Sequence, residues 1–226
     1  MSQNTHFTVD KNNLNRTKIS QTPLPEELAK NQILVEVDTF AFTANTVTYA
    51  VAGDVLDYWN LFPCRDNTQG NIPTWGLATV IRSSHLQIPV GSTVFGFLPM
   101  STHLLMDASK VDAMGFVDLS PHRKDFHSFY NQYSIMDHNP LFDEKTRKYW
   151  PTYWPLYLTG LLLKEYYLEH QLFDAERVLI SSASSKTAQA FAYLLKKESP
   201  QTEIVALTSA HRVEELRTRS FFDLTL

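Results

Sequence analysis

Residues suited to holding an anion gather in two places along this 226-residue chain. Ser182, Ser184, Ser185, Lys186 and Thr187 share one short stretch, and Ser209 and Arg212 follow the next apolar run. The first stretch is entered from Val178-Leu179-Ile180 and left through an amphipathic segment; the second follows Ile204-Val205-Ala206-Leu207. Strand, tight turn, helix and strand over about thirty residues make a βαβ unit, whose crossover points the helix N-terminus at the ends of the parallel strands. The N–H groups there lack partners inside the helix and carry the positive end of its dipole, which is the chemistry of an anion site.

Thr187, Ala190, Phe191, Leu194 and Leu195 recur at helical spacing, and Lys196, Lys197 and Glu198 crowd the end before Pro200. Ser184 or Ser185 is expected to cap the helix by accepting a hydrogen bond from an N–H one turn further on. Against the dinucleotide fingerprint G-x-G-x-x-G/A, the small positions are Ala183, Ser185 and Ala188, and only the last is a residue the pattern tolerates. A Walker-type phosphate loop would need glycine where Ile180 and Ser185 stand, which disfavours a nucleotide triphosphatase.

An NAD-type site places an acid on the ribose hydroxyls about twenty residues beyond the fingerprint. Here Thr208-Ser209-Ala210-His211-Arg212 occupies that place and contains no acid. Hydroxyl and guanidinium suit a ribose phosphate, because Arg pairs phosphate through charge-assisted, often bidentate hydrogen bonds. The expected cofactor is therefore NADP(H). Ser182, Ser184 and Ser185 with their backbone N–H groups would hold the pyrophosphate, Lys186, Ser209 and Arg212 would neutralise the 2′-phosphate, and Thr187 is counted among the cofactor-binding residues. The plain alternative is a Ser-rich loop that caps a structural helix, with Lys186 and Arg212 as solvated surface charges.

Fourteen Phe, ten Tyr and four Trp provide ample core material for a chain of this length. A net charge of −4 argues against broad nucleic-acid or anionic-membrane binding, so any phosphate recognition must be local. The N-terminus has no secretory pattern and no apolar run is long enough to span a bilayer, so a cytoplasmic location is expected. The single cysteine, Cys64, rules out an intrachain disulfide and a Cys-rich zinc lobe. The histidines show no metal-ligand spacing, and no metal is expected.

In the first half, Ile33, Val35 and Val37 alternate with Glu36 and Asp38, the pattern of a half-buried antiparallel strand. Further strands are expected at Trp75–Arg82, Ser92–Phe97 and Thr102–Met106, separated by Pro and Gly turn signals. Short strands followed by a βα unit imply two domains: a β-rich one over residues 1–150 and a dinucleotide-binding one over 151–226. The Phe126–Trp154 segment, rich in aromatics but broken by Asp, Asn, His and Pro, reads as a long insertion loop suited to a bulky apolar substrate or a partner surface.

The order of these blocks resembles the medium-chain dehydrogenase/reductase superfamily, in its zinc-independent quinone-oxidoreductase-like branch. The blocks are Ile33–Val37, Asn45–Gly53, Trp75–Val80, Val90–Gly96, Ser101–Met106 with Lys110-Val111, Pro155–Leu161 and the βαβ unit. Trp75-Gly76 and the Ser-Ser-Lys-Thr turn are similar to a side branch, domain of unknown function 2855. The resemblance implies a GroES-like β-rich domain followed by a partial Rossmann domain, with Asn45–Gly53 as the active-site loop. Zinc-dependent relatives carry a metal-binding Cys where this chain has Asn45-Thr46. Phe221-Phe222-Asp223 resembles the start of the third strand of the cofactor domain, so the chain reads as C-terminally truncated. The exposed sheet edge would invite pairing with another chain, as in a homodimer.

The function this implies is an NADPH-dependent, metal-free oxidoreductase acting on a small apolar or aromatic carbonyl, enone or quinone. Asn45 and Tyr49 would be the polar groups beside the substrate, as hydrogen-bond donors to its oxygen or, for Tyr49, as a proton source. The alternative is a non-catalytic binding or interaction protein on a degenerate reductase fold, consistent with a phosphate turn that has lost its glycines.

Overall fold

The computed structural model describes residues 2–226, which form two compact units dividing between Thr152 and Tyr153. The first unit opens with a hairpin of β1 (Gln3–Asp10) and β2 (Asn13–Pro23), in which Phe7 faces Ile19. Its turn is shaped by the Asp10 carboxylate, whose Oδ1 accepts from the amides of Asn12 and Asn13 at 2.8 and 3.2 Å. Next come β3 (Gln32–Ala41), α1 (Ala44–Val51), β4 (Gln69–Gly70), β5 (Pro73–Ser83), β6 (Thr93–Pro99), β7 (His103–Ser109), β8 (Gly115–Asp118), α2 (Ser128–Asn131) and β9 (Gln132–Ile135). β4 pairs with the outer side of β1, giving a small sheet of order β2-β1-β4.

The other strands close a barrel of order β3-β5-β6-β9-β8-β7, filled by Ile33, Val35, Ala78, Val80, Val94, Leu98, Met106, Phe116, Tyr133 and Ile135. β3 pairs antiparallel with both β5 and β7, which leaves Glu36 and Asp38 exposed but buries Leu34 along with Ile33 and Val35. The strands expected over 75–82, 92–97 and 102–106 are present as β5, β6 and β7.

The expected insertion loop over Phe126–Trp154 is corrected. It contributes α2 and β9, and β9 pairs with β6 and with β8, so this segment closes the barrel. The reason is local alternation: Tyr133 and Ile135 turn inward while Gln132 and Ser134 face out, a period too short to stand out among the polar interruptions.

Closure is fastened by a buried charge. The Arg123 guanidinium is fully enclosed; Nη1 donates to Asp118 Oδ2 at 3.1 Å and to the Tyr133 hydroxyl at 2.7 Å, Nε to Asn131 Oδ1 at 3.1 Å, and Nη2 to the Tyr130 carbonyl at 2.6 Å. Asp118 Oδ1 in turn accepts from the Asp107 amide at 3.1 Å and from the Ser120 amide and hydroxyl at 3.0 and 2.6 Å. The Tyr133 hydroxyl donates to the Phe97 carbonyl, and burial pushes its phenol up to about 12, which keeps that proton in place. β8, α2, β9 and β6 are thereby tied through one cation.

The second unit comprises most of α3 (Trp150–Glu169), then β10 (Arg177–Ile180), α4 (Lys186–Glu198), β11 (Glu203–Ala206), α5 (Val213–Arg217) and β12 (Leu224–Thr225). Its strands lie in the order β10-β11-β12 and are all parallel, with Leu179 opposite Val205 and Val205 opposite Leu224. The third strand, Leu224–Thr225, begins just past Phe221-Phe222-Asp223, where the resemblance placed its start. Ile180, Ala183, Phe191, Ala192, Leu195, Ile204, Ala206 and Leu216 form the core.

α3 and α4 touch at Gly160, where a Cβ would lie 2.8 Å from the Phe191 amide nitrogen and 2.9 Å from the Ala190 Cβ. Nearby, the buried Lys164 ammonium bonds Glu165 Oε1 at 2.6 Å and Glu198 Oε1 at 2.8 Å, joining α3 to the end of α4. Between α3 and β10 the chain turns through Gln171–Asp174, all with left-handed φ between 50 and 57°. Such a turn disfavours L-residues; it packs the Phe173 ring against Tyr166, Tyr167 and His170.

Two outcomes follow from this packing. Asp118→Ala leaves the Arg123 charge buried without its carboxylate and should cost about 3–5 kcal/mol in urea unfolding; a cost within about 0.5 kcal/mol, typical of an ordinary surface site, would contradict the role given to that pair. Gly160→Leu overpacks the α3–α4 contact and should cost about 1–3 kcal/mol on the same scale.

Candidate functional site

In the second unit, the residues expected to hold an anion lie on the turn between β10 and α4. Leaving Ile180, the chain passes through Ser182 in a left-handed conformation, φ 49°, a backbone state that glycine adopts most readily. The turn is anchored on the end of β11: the Ala183 amide donates to the Leu207 carbonyl at 3.1 Å and the Leu207 amide to the Ile180 carbonyl at 2.8 Å. Ser185, not Ser184, is the cap; its Oγ accepts from the Ala188 amide at 3.2 Å, and its own amide donates to Ser182 at 2.9 Å. The Ser184 carbonyl is taken by the Gln189 side chain at 3.0 Å.

With these bonds made, the amides of Ser184, Lys186 and Thr187 donate to no protein acceptor among the described residues. They stand where the dipole of the 13-residue α4 is most positive. Ser182, Ser185 and Lys186 are exposed and Ser184 and Thr187 half-buried, so the turn is open to a ligand. The Lys186 ammonium lies 5.6 Å from the centre of the Tyr153 ring, a cation–π contact.

Ser209 and Arg212 follow β11. Because β10 and β11 are parallel neighbours, the turns after them leave the same end of the sheet. Ser209 precedes a single 3₁₀ turn, Ala210–Arg212. The Arg212 guanidinium is already engaged: Nη1 lies 2.6 Å from Glu215 Oε2, one turn on, with both side chains about half exposed. That hydrogen bond and charge hold the Glu215 carboxyl below its usual range. This acid was missed in the sequence because it lies past the strand end, in α5, although its spacing from Arg212 is that of a helical ion pair.

In the first unit, the expected active-site loop over Asn45–Gly53 is corrected: residues 44–51 form α1. Thr46 supplies the missing signal, since its buried hydroxyl accepts from the Thr43 amide at 3.1 Å and donates to the Ala41 carbonyl at 3.3 Å, taking the place that Glu or Gln fills in the usual capping box. Asn45 is exposed in the first turn, and Tyr49 follows one turn later on the same side. Tyr49 sits edge-on to Tyr58 at 5.2 Å and to Phe97 at 5.4 Å.

These rings belong to a wider aromatic wall. Trp75 is edge-on to Phe97 at 4.6 Å and to Phe129 at 5.6 Å, and the Tyr58 and Tyr130 hydroxyls are hydrogen-bonded at 2.9 Å. Burial raises the Tyr49 phenol, partly offset by its hydrogen bond with the Trp75 indole, and burial raises Tyr58 further. Both phenols are therefore proton donors at neutral pH. Tyr58 was not singled out for the site in sequence, because it meets Tyr130, a residue of the Phe126–Trp154 aromatic segment, only through folding.

Among the described residues, no group of three or more His, Cys, Asp or Glu side chains is placed to hold a metal ion, and no helix is long and apolar enough to cross a membrane. Cys64 is a free, half-buried thiol.

Among solved structures, the chain is similar to the quinone oxidoreductase from Coxiella burnetii, with a TM-score of 0.58 and 14% identity, covering 100% of this chain and 62% of that one. It is also similar to a mutant form of enoyl thioester reductase from Candida tropicalis, with a TM-score of 0.63 and 12% identity over 100% of this chain and 61% of the other. TarJ of S. aureus, solved in complex with NADPH, matches with a TM-score of 0.57 and 12% identity over 99% of this chain and 59% of its own. At these identities the likeness is one of fold: a GroES-like barrel followed by part of a Rossmann domain, in a chain spanning about three fifths of each relative's length. No curated protein matches. The family model for Protein of unknown function (DUF2855) matches residues 40–226, and the chain belongs to that family.

Proposed function

We propose that this chain forms the substrate-side barrel and the cofactor grip of an NADP(H)-dependent, metal-independent reductase that acts on a carbonyl, enone or quinone. The observation that carries this reading is the set of unpartnered amides at Ser184, Lys186 and Thr187, at the same sheet end as Ser209 and Arg212. A dinucleotide fits these groups. Its pyrophosphate needs N–H donors, which the start of α4 provides, and its 2′-phosphate needs a hydroxyl and cations, which Ser209, Arg212 and Lys186 provide. The left-handed Ser182 provides the bend without a glycine.

When bound, NADPH would supply the hydride. The chain's own part is to orient and to stabilise charge. Asn45 would donate a hydrogen bond to the substrate oxygen, and the Tyr49 phenol, kept protonated by burial, would donate its proton as negative charge develops there. The wall of Trp75, Phe97, Phe129 and Tyr130 favours a flat apolar substrate and excludes water around it. The names of the quinone and enoyl thioester reductases among the structural relatives support the same chemistry.

A second reading, a non-catalytic binding protein, is favoured by one feature: serine side chains stand where a glycine-rich turn would let the pyrophosphate approach the backbone closely.

Fluorescence titration of the purified chain with NADPH separates the two. Micromolar binding that weakens about tenfold in both Lys186→Ala and Arg212→Ala supports the reductase, each change removing a charge-assisted hydrogen bond. A folded chain that binds no NADPH favours the second reading. With an enone or quinone as substrate, Tyr49→Phe should lower turnover by about a hundredfold while leaving NADPH affinity unchanged; unchanged turnover would remove Tyr49 from the mechanism.

A further inference from the structure

Arg212 already holds one anion before any phosphate reaches it. Its guanidinium is bonded to Glu215 at 2.6 Å, and the carboxylate, held below its usual range by that bond, is ionised at neutral pH as an ordinary Glu also is. Any phosphate that reaches Arg212 must either share the guanidinium with a carboxylate or displace it, and like charges brought to one cation repel. A cofactor without the 2′-phosphate meets no such cost. The Glu215 carboxylate can even accept from its free ribose hydroxyls, the task performed by the acid at the strand end in NAD-type sites.

We propose that Glu215 is a specificity-determining residue, which competes with the ribose 2′-phosphate for Arg212 and so narrows the discrimination between NADPH and NADH. This rests on the reading that Ser209 and Arg212 receive that phosphate. The pair is suited to the role because it is exchangeable: its side chains are 49% and 44% exposed, so the guanidinium can turn from one acceptor to the other without uncovering a buried charge. A neighbouring pair serves as an internal control. Arg217 and Glu214 make the same contact at 2.6 Å with the same spacing, but in a more exposed setting and without Arg212.

The test is titration of the full chain with NADPH and with NADH in three forms: wild type, Glu215→Gln and Glu214→Gln. Each substitution removes one negative charge from the same helix. Glu215→Gln should tighten NADPH by about two- to five-fold, the range set by exposed ion pairs, and leave NADH unchanged or weaker. Glu214→Gln should leave the ratio of the two affinities as in the wild type. In an Arg212→Ala background, Glu215→Gln should change that ratio no more than Glu214→Gln does. An unchanged ratio in Glu215→Gln, or an equal rise in Glu214→Gln, overturns the proposal while leaving the cofactor reading intact. Wild-type chain that binds neither nucleotide overturns both. Should Glu215→Gln prove unstable in a thermal melt, Glu215→Ala tests the same direction.

Discussion

The parallel hydrogen bonding of Val178–Ile180 with Ile204–Ala206 is the constraint on which the rest of the second unit depends. An antiparallel pairing would send the two following turns to opposite ends of the sheet. Parallel pairing sends both to one end, and the bonds of Ala183 and Leu207 across the strand tips lock the first turn onto the second. α4 is then held from below by Phe191, Ala192 and Leu195 in the core and approached by α3 at Gly160. With its position fixed in this way, its first turn has amides that neither the helix nor the loop can satisfy. Serines and a lysine at this point would otherwise be ordinary surface residues.

Two arginines show how burial decides what a charge does. Arg123 is enclosed by Asp118, Asn131, Tyr130 and Tyr133, and its hydrogen bonds offset the cost of removing it from water. That cation cannot change partner without opening the barrel, so its effect is to hold β8 and β9 together. Arg212 lies closer to its carboxylate, 2.6 Å from Glu215 against 3.1 Å between Arg123 and Asp118, yet both groups remain in water, where an ion pair contributes little and reforms readily. The shorter distance belongs to the weaker constraint, and for that reason the exposed arginine is the one available to a ligand.

Much of the second unit was legible in the sequence because two strong signals coincided. A helical apolar period ran from Thr187 to Leu195, and the β-branched runs stood at the correct distance on either side; the serine cap only had to be assigned to Ser185. The first unit was harder where the signal was short or unusual. α1 has Thr46 at its third position, where Glu or Gln is expected, so its capping box does not read as one. β9 presents only Tyr133 and Ile135 inward, and the β1–β2 hairpin is rich in Asn and Thr, with most of β2 exposed and little alternation to detect. For the site, Asn45 and Tyr49 were accessible by resemblance, while Tyr58 and Glu215 acquire meaning only from neighbours that folding supplies.

The central claim is that the first turn of α4 grips a dinucleotide pyrophosphate. Amide NMR shifts recorded while NADPH is added to isotope-labelled chain test it most directly, because they report on individual N–H groups. The account predicts that the largest shifts fall on Ser184, Lys186 and Thr187, with smaller ones at Ser209 and Arg212. Binding that leaves those amides in place and shifts residues elsewhere would contradict it.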